Sequence, residues 1–133
     1  MIVDVATDVV IHQATNVVAR FAMDPDNAPR WYRNIKTAEW RTPRPLGVGS
    51  RIAFIARFLG KQLVYTYEVV ELLPDRRLRM RTAEGPFPME TTYEFVPVDE
   101  QKCLVHLRNR GAPTGFSKLL APFVALAMRF ANR

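Results

Sequence analysis

The chain has 133 residues, 48% of them hydrophobic and 24% charged, with a formal net charge of +6 and one cysteine. That length buries one core rather than two, the composition excludes a disordered chain, and Cys103 alone excludes an internal disulfide. The positive charge would point to nucleic acid only if the basic residues were grouped, and along the chain they are not. Arg76, Arg77, Arg79 and Arg81 straddle a turn and alternate along a strand, while Arg30, Arg33, Lys36, Arg41 and Arg44 are scattered through a helix and its exit. Specific nucleic-acid binding is therefore not expected; weak contact with an anionic membrane surface stays open. One domain over residues 1–133 is expected. The start MIVDVATDVV has no basic region, continuous apolar run or small-residue cleavage site, which makes the cytoplasm the expected compartment.

In chain order, Val3, Val5, Thr7, Val9 and Ile11 alternate with Asp4, Ala6, Asp8 and Val10, a period of two that predicts a half-buried strand and points His12 outward. Thr15 or Asn16 is suited to cap a short helix running to Met23. Asp24, Pro25, Asp26 and Asn27 break it, and Asn27 is expected to cap a second helical turn carrying Trp31 and Tyr32. The two aspartates do not make a calcium loop, because the turning Gly and the downstream bidentate Glu are missing.

A brief strand is predicted at Thr37–Trp40. Gly47 and Gly49 then open a loop that is not a dinucleotide fingerprint, because RIAFIARF after Gly49 reads as a strand and not as a helix. Three further alternating runs come next: LVYTYEVVEL, the segment with Leu78, Met80 and Thr82 opposite Arg77, Arg79 and Arg81, and Met89 to Phe95, which Pro97 is expected to close. CLVHLRNR completes a meander from about residue 51 to 110. Its connections are too short for crossovers, so the sheet is antiparallel.

The last stretch, Thr114 to Arg133, repeats apolar residues at spacings of four and three (Phe116, Leu120, Phe123, Ala127, Phe130), which predicts a helix bent or begun near Pro122. With fewer than about 20 consecutive apolar residues it does not read as a membrane span. The sheet is its expected cover.

DPDNAPRWYRNI at Asp24–Ile35, GVGSR at Gly47–Arg51, YEVVELLPDRRL at Tyr67–Leu78 and GPFPMETTYEFVPV at Gly85–Val98, in this order of elements, resemble the START and polyketide cyclase/dehydrase-like (SRPBCC) superfamily. The resemblance spans nearly the whole chain. It implies an α+β helix-grip fold, in which a curved antiparallel sheet wraps a long terminal helix and two short helices follow the first strand. It also implies an apolar cavity between sheet and helix, where members bind lipids, sterols, polyketides or quinones.

Strand parity puts Phe54, Phe58, Tyr65, Tyr67, Met80, Met89, Thr91, Tyr93 and Phe95 on one face, with Phe123 and Ala127 on the helix stripe that this face is to cover and Trp31 at the mouth. These are the candidate ligand-binding residues, and plain core packing is the alternative for each. No catalytic set emerges. Ser50 and Ser117 sit in no nucleophile elbow, and Cys103 and His106 fall on opposite faces of one strand, so neither a triad, a metal site nor a cofactor is expected. The first functional reading is therefore a carrier or sensor of a hydrophobic small molecule. A cyclase or dehydratase is the second, and a protein-interaction or membrane-surface module the third; the oligomeric state is not legible.

Overall fold

The computed structural model describes residues 3–31, 35–58, 60–84 and 88–111, the side chains of Val3, Val5 and Phe58 excepted. The expected terminal helix, its bend at Pro122, and Phe123 and Ala127 lie outside the described residues. Strand β1 (Val3–Ile11) leads into helix α1 (Thr15–Met23), a single 3-10 turn (Pro25–Asn27) and the short helix α2 (Ala28–Trp31). Six strands complete the order: β2 (Ile35–Trp40), β3 (Arg51–Phe58), β4 (Lys61–Leu73), β5 (Arg77–Glu84), β6 (Met89–Asp99) and β7 (Lys102–Gly111). They form one curved seven-stranded sheet in the order β1-β7-β6-β5-β4-β3-β2, with every neighbouring pair antiparallel. A meander brings each strand beside the one before it, and β1 closes the row on β7.

Local chemistry differs from the sequence expectations at three ends. Helix α1 begins after Ala14 with no side-chain cap, and Thr15 is already its first helical residue. The cap forms one element later, where Asp24 Oδ1 accepts from the Asp26 amide at 3.0 Å. Asn27, expected to cap the second turn, instead donates from Nδ2 to the Phe21 carbonyl at 3.2 Å and ties the end of α1 to the turn after it. Pro97 does not end β6. It sits opposite Cys103 beside a register shift, where one residue out of phase relieves the ladder of the missing amide. The GVGS loop closes on itself: the Gly47 amide donates to Ser50 Oγ at 2.9 Å, and Gly49 takes a φ of 92° that a side chain would resist.

The concave face carries the core. Ile52, Val69, Leu78, Cys103 and Val105 are fully or almost fully buried, and α1 adds Val18, Ala19, Phe21 and Ala22 where it packs on β6 and β7. Each of the Val, Ile, Leu and Phe side chains among them contributes about 1.5–3 kcal/mol by leaving water. Burial pushes the Cys103 thiol above its usual value, with the Thr15 hydroxyl and the Val96 backbone beside it offsetting part of the effect.

The convex face is a charge ladder. One row runs Asp4, Arg110, Glu90, Arg81, Glu68, Arg51 across six strands, alternating in sign at every step. A second runs Asp8, His106, Glu94, Arg77, with His106 Nδ1 bonded to Asp8. Opposite charges facing each other across a strand pair stabilise it, and like charges oppose it, so the pattern favours this register over a one-residue slip.

Much of the positive charge is thereby interleaved with carboxylates. The arginines of β5 are not equally exposed, as the alternation alone had suggested. Arg81 is open, whereas Arg77 and Arg79 are half-buried, with Arg77 bridging Glu71 at 3.3 Å and Glu94 at 3.2 Å and Arg79 reaching Glu71 at 3.6 Å. The hydrogen bonds that the Arg77 guanidinium donates to Glu71 and then Glu94 raise its pKa further. Thermal unfolding of the three Arg→Gln variants should therefore rank Arg77 as the most destabilising and Arg81 as the least, with the difference shrinking at high salt. Equal midpoints for Arg77→Gln and Arg81→Gln would overturn the added stability assigned to the Glu71 and Glu94 bridges of Arg77.

Candidate functional site

Seven of the residues expected on the inner face are found there together. Phe54, Tyr65, Tyr67, Met80, Met89, Tyr93 and Phe95 are all buried, at 3–9% exposure, and occupy the same side of β3 to β6. Register places them: Phe54 pairs with Tyr65 across β3 and β4, Ile52 with Tyr67, Val69 with Met80, and Leu78 with Tyr93. Aromatic edges meet aromatic faces, with Phe54 and Tyr67 centroids at 5.8 Å and 69° and Trp31 and Tyr93 at 5.7 Å and 65°. Such edge-on packing matches the positive rim of one ring to the negative face of the next. Burial pushes the Tyr65 phenol above its usual pKa, so it is a neutral hydroxyl at physiological pH.

Trp31, expected beside the mouth as an aromatic that can close the site, is 2% exposed and held by α2 against Tyr93. The aromatic at the sheet's end is Trp40, and around it the Asp24–Asn27 segment finds its role. Trp40 Nε1 donates to Asp26 Oδ1 at 3.0 Å, Arg44 Nη2 reaches the same carboxylate at 2.9 and 3.1 Å, and the Arg44 guanidinium lies 4.7 Å from the Trp40 ring centre. The Arg44 hydrogen bond, helped by the indole, holds the Asp26 carboxyl below the usual carboxylate range. An open cleft of about 520 Å3 lies here, lined by Met23, Pro25, Leu46, Leu72 and this knot.

The polar inventory of the inner face is short. Thr91, expected there, is 4% exposed, and its hydroxyl donates to Asn109 Oδ1 at 2.8 Å across β6 and β7. Asn109, 2% exposed, is a residue that sequence reasoning missed. The signal that could have found it is its position in CLVHLRNR, on the parity of Cys103, Val105 and Leu107. Thr82 closes the β5–β6 end by accepting from the Met89 amide at 2.9 Å. Among the described residues no Asp, Glu, Lys, Arg or His is buried on the inward parity of these strands, Lys61 sharing that parity opposite Phe58 but lying exposed, and no three His, Cys, Asp or Glu are placed to hold a metal ion.

No described helix is long and apolar enough to cross a membrane. A sequence model of the family described as "Polyketide cyclase / dehydrase and lipid transport" matches residues 3–133. No curated protein matches the chain. Among solved structures, a START superfamily protein from Mycobacterium smegmatis superposes with a TM-score of 0.77 at 15% identity, over 96% of this chain and 93% of its own. The Zhui aromatase/cyclase from a Streptomyces species does so with a TM-score of 0.79 at 14% identity, over 100% and 96%. A major latex-like protein from Panax ginseng gives 0.75 at 15% identity, over 98% and 95%. At these identities the likeness is one of fold.

Proposed function

The chain belongs to the polyketide cyclase/dehydrase and lipid transport family, and on that premise we propose that it binds one uncharged, largely apolar small molecule against the concave face of its sheet, as a carrier or sensor. One observation carries the reading. Among the described residues the core on this face gathers six aromatic side chains (Trp31, Phe54, Tyr65, Tyr67, Tyr93 and Phe95) and Met80 and Met89 with the polar pair Thr91–Asn109, and it buries no carboxylate, imidazole or amine to move a proton. Aromatic walls with a few fixed polar groups are what small-molecule sites are made of. Cyclisation or dehydration would need an acid or base at the reacting carbon, and a neutral Tyr65 or Thr91 hydroxyl supplies at most a hydrogen bond. That the Zhui protein is an aromatase/cyclase keeps the enzymatic reading as the alternative.

Mass spectrometry of an organic extract from the purified protein is expected to yield an intact apolar metabolite in stoichiometric amount. N-phenyl-1-naphthylamine, an uncharged fluorescent probe, should bind one to one, compete with that metabolite and quench tryptophan emission. Probe binding that saturates nowhere, or that requires anionic vesicles and weakens with salt, would favour the membrane-surface reading instead.

A further inference from the structure

We infer that the end of the β3–β4 hairpin, with the bulge of β2 beside it, docks the protein on the surface of an anionic lipid bilayer. The inference goes beyond the proposed binding role of the concave face and stands without it. Along the chain Lys36 lies well apart from Arg57 and Lys61, and the sheet brings the three to one corner. On β2 the register slips between Ile35, opposite Ala56, and Thr37, opposite Ile55. Lys36 is the extra residue of that bulge, and with Arg57 and Gln62 it lines an open hollow of about 530 Å3. Elsewhere on the convex face cations are bridged, Arg51 to Glu68 at 2.9 Å, Arg77 to Glu71 and Glu94, and Arg108 to Asp4 at 2.6 Å. Here Glu39 is the one carboxylate lining the hollow, and Arg41 already bridges it at 3.4 Å. Lys36, Arg57 and Lys61 are exposed and make no ion pair among the described residues. Like charges gathered without a counter-charge repel one another, and an anionic partner relieves that repulsion.

Two features select a bilayer over other polyanions. Val64 is 42% exposed and stands opposite Ile55, next to the Arg57–Gln62 pair, so an apolar side chain sits among the cations. A bilayer takes both, with phosphates for the charged heads and an apolar boundary for Val64 and the alkyl stems of the lysines. A nucleic acid offers only the phosphates, and no aromatic ring among the described residues lines the hollow for a base to stack on. Shape is the second feature. The pairing of β4 with β5 ends at Thr66–Glu84 and that of β3 with β2 at Ile35–Ala56, so Arg57 and Lys61–Val64 extend past both neighbouring strands among the described residues. A projecting end meets a flat surface that the curved sheet as a whole would touch over little area.

Vesicles of phosphatidylcholine and phosphatidylglycerol in equal parts are expected to sediment with the protein, vesicles of phosphatidylcholine alone are not, and added salt should release it. Replacing Lys36, Arg57 and Lys61 with Gln should weaken the partitioning about fivefold per cation removed, the factor that a basic residue near an anionic surface supplies. Arg30→Gln, Arg76→Gln and Arg81→Gln together remove the same charge from exposed positions elsewhere and should weaken it far less. In the otherwise unaltered chain, Val64→Trp should add emission that shifts to the blue with the mixed vesicles and not with phosphatidylcholine alone, a readout that keeps every cation in place. Equal losses in the two triple variants, or no such shift from Val64→Trp, overturns this corner as the docking site. A random-sequence DNA duplex that binds through the same three residues, and displaces the vesicles at equal phosphate concentration, overturns the bilayer in favour of a nucleic acid. None of these measurements involves the concave face, whose role N-phenyl-1-naphthylamine binding in vesicle-free solution decides separately.

Discussion

Trp31→Ala is expected to destabilise the protein by about 3–5 kcal/mol, in the range seen when a large aromatic is removed from a packed interior. Trp31 is 2% exposed, meets Tyr93 edge to face at 5.7 Å, and with Ala28 is one of the two buried residues of α2, which packs on β2. So short a helix is not stable on its own and depends on what its side chains bury. Chemical denaturation followed by circular dichroism gives the measurement, with Trp31→Phe as the milder comparison that keeps the ring contact. A gate residue at an open mouth would behave otherwise: its loss would change the rate of probe entry and leave stability within about 0.5 kcal/mol of the starting value. That second outcome would mean that Trp31 adds little to the packing of the core.

Trp31 and its neighbours on the sheet differ in how far the sequence could place them. Strand parity was readable because alternation of period two ties each side chain to a face, and Phe54, Tyr65, Met80, Tyr93 and Phe95 all lie where it put them. Short helices gave less. The cap moved from Thr15 or Asn16 to Asp24, and the burial of Trp31 depends on how α2 docks on the sheet, which four residues of local pattern do not encode. Asn109 escaped for a third reason. It lies between two arginines near the end of β7, although parity alone assigns Asn109 inward and Arg108 and Arg110 outward. The half-burial of Arg77 was hidden because its two carboxylates arrive from neighbouring strands, β4 and β6.

The absence of buried charge from the described inner face can be tested by adding one. Met80→Glu places a carboxyl at a position 5% exposed, between Thr91 on β6 and Val69 on β4, with no described cation beside it. Burial disfavours the ionised form, so the folded-state pKa of the new carboxyl should lie above its unfolded value of about 4.3, by about 3 units for a fully buried group. Below pH 4 the carboxyl is neutral in both states and the variant should lose only the packing of the methionine. As pH rises from there the unfolded chain releases the proton first, so the folded state is progressively penalised, and the loss levels off only above the raised pKa, at about 4 kcal/mol. Urea midpoints of Met80→Glu relative to the unaltered protein, taken from pH 4 to pH 8, should therefore diverge steadily, while Val64→Glu, at an exposed position opposite Ile55, should show no such divergence. A Met80→Glu protein as stable at pH 8 as at pH 4 would mean that the inner face solvates an ionised carboxylate. A face able to do that could also hold a general acid or base, and the case for a carrier over a cyclase would be lost with it.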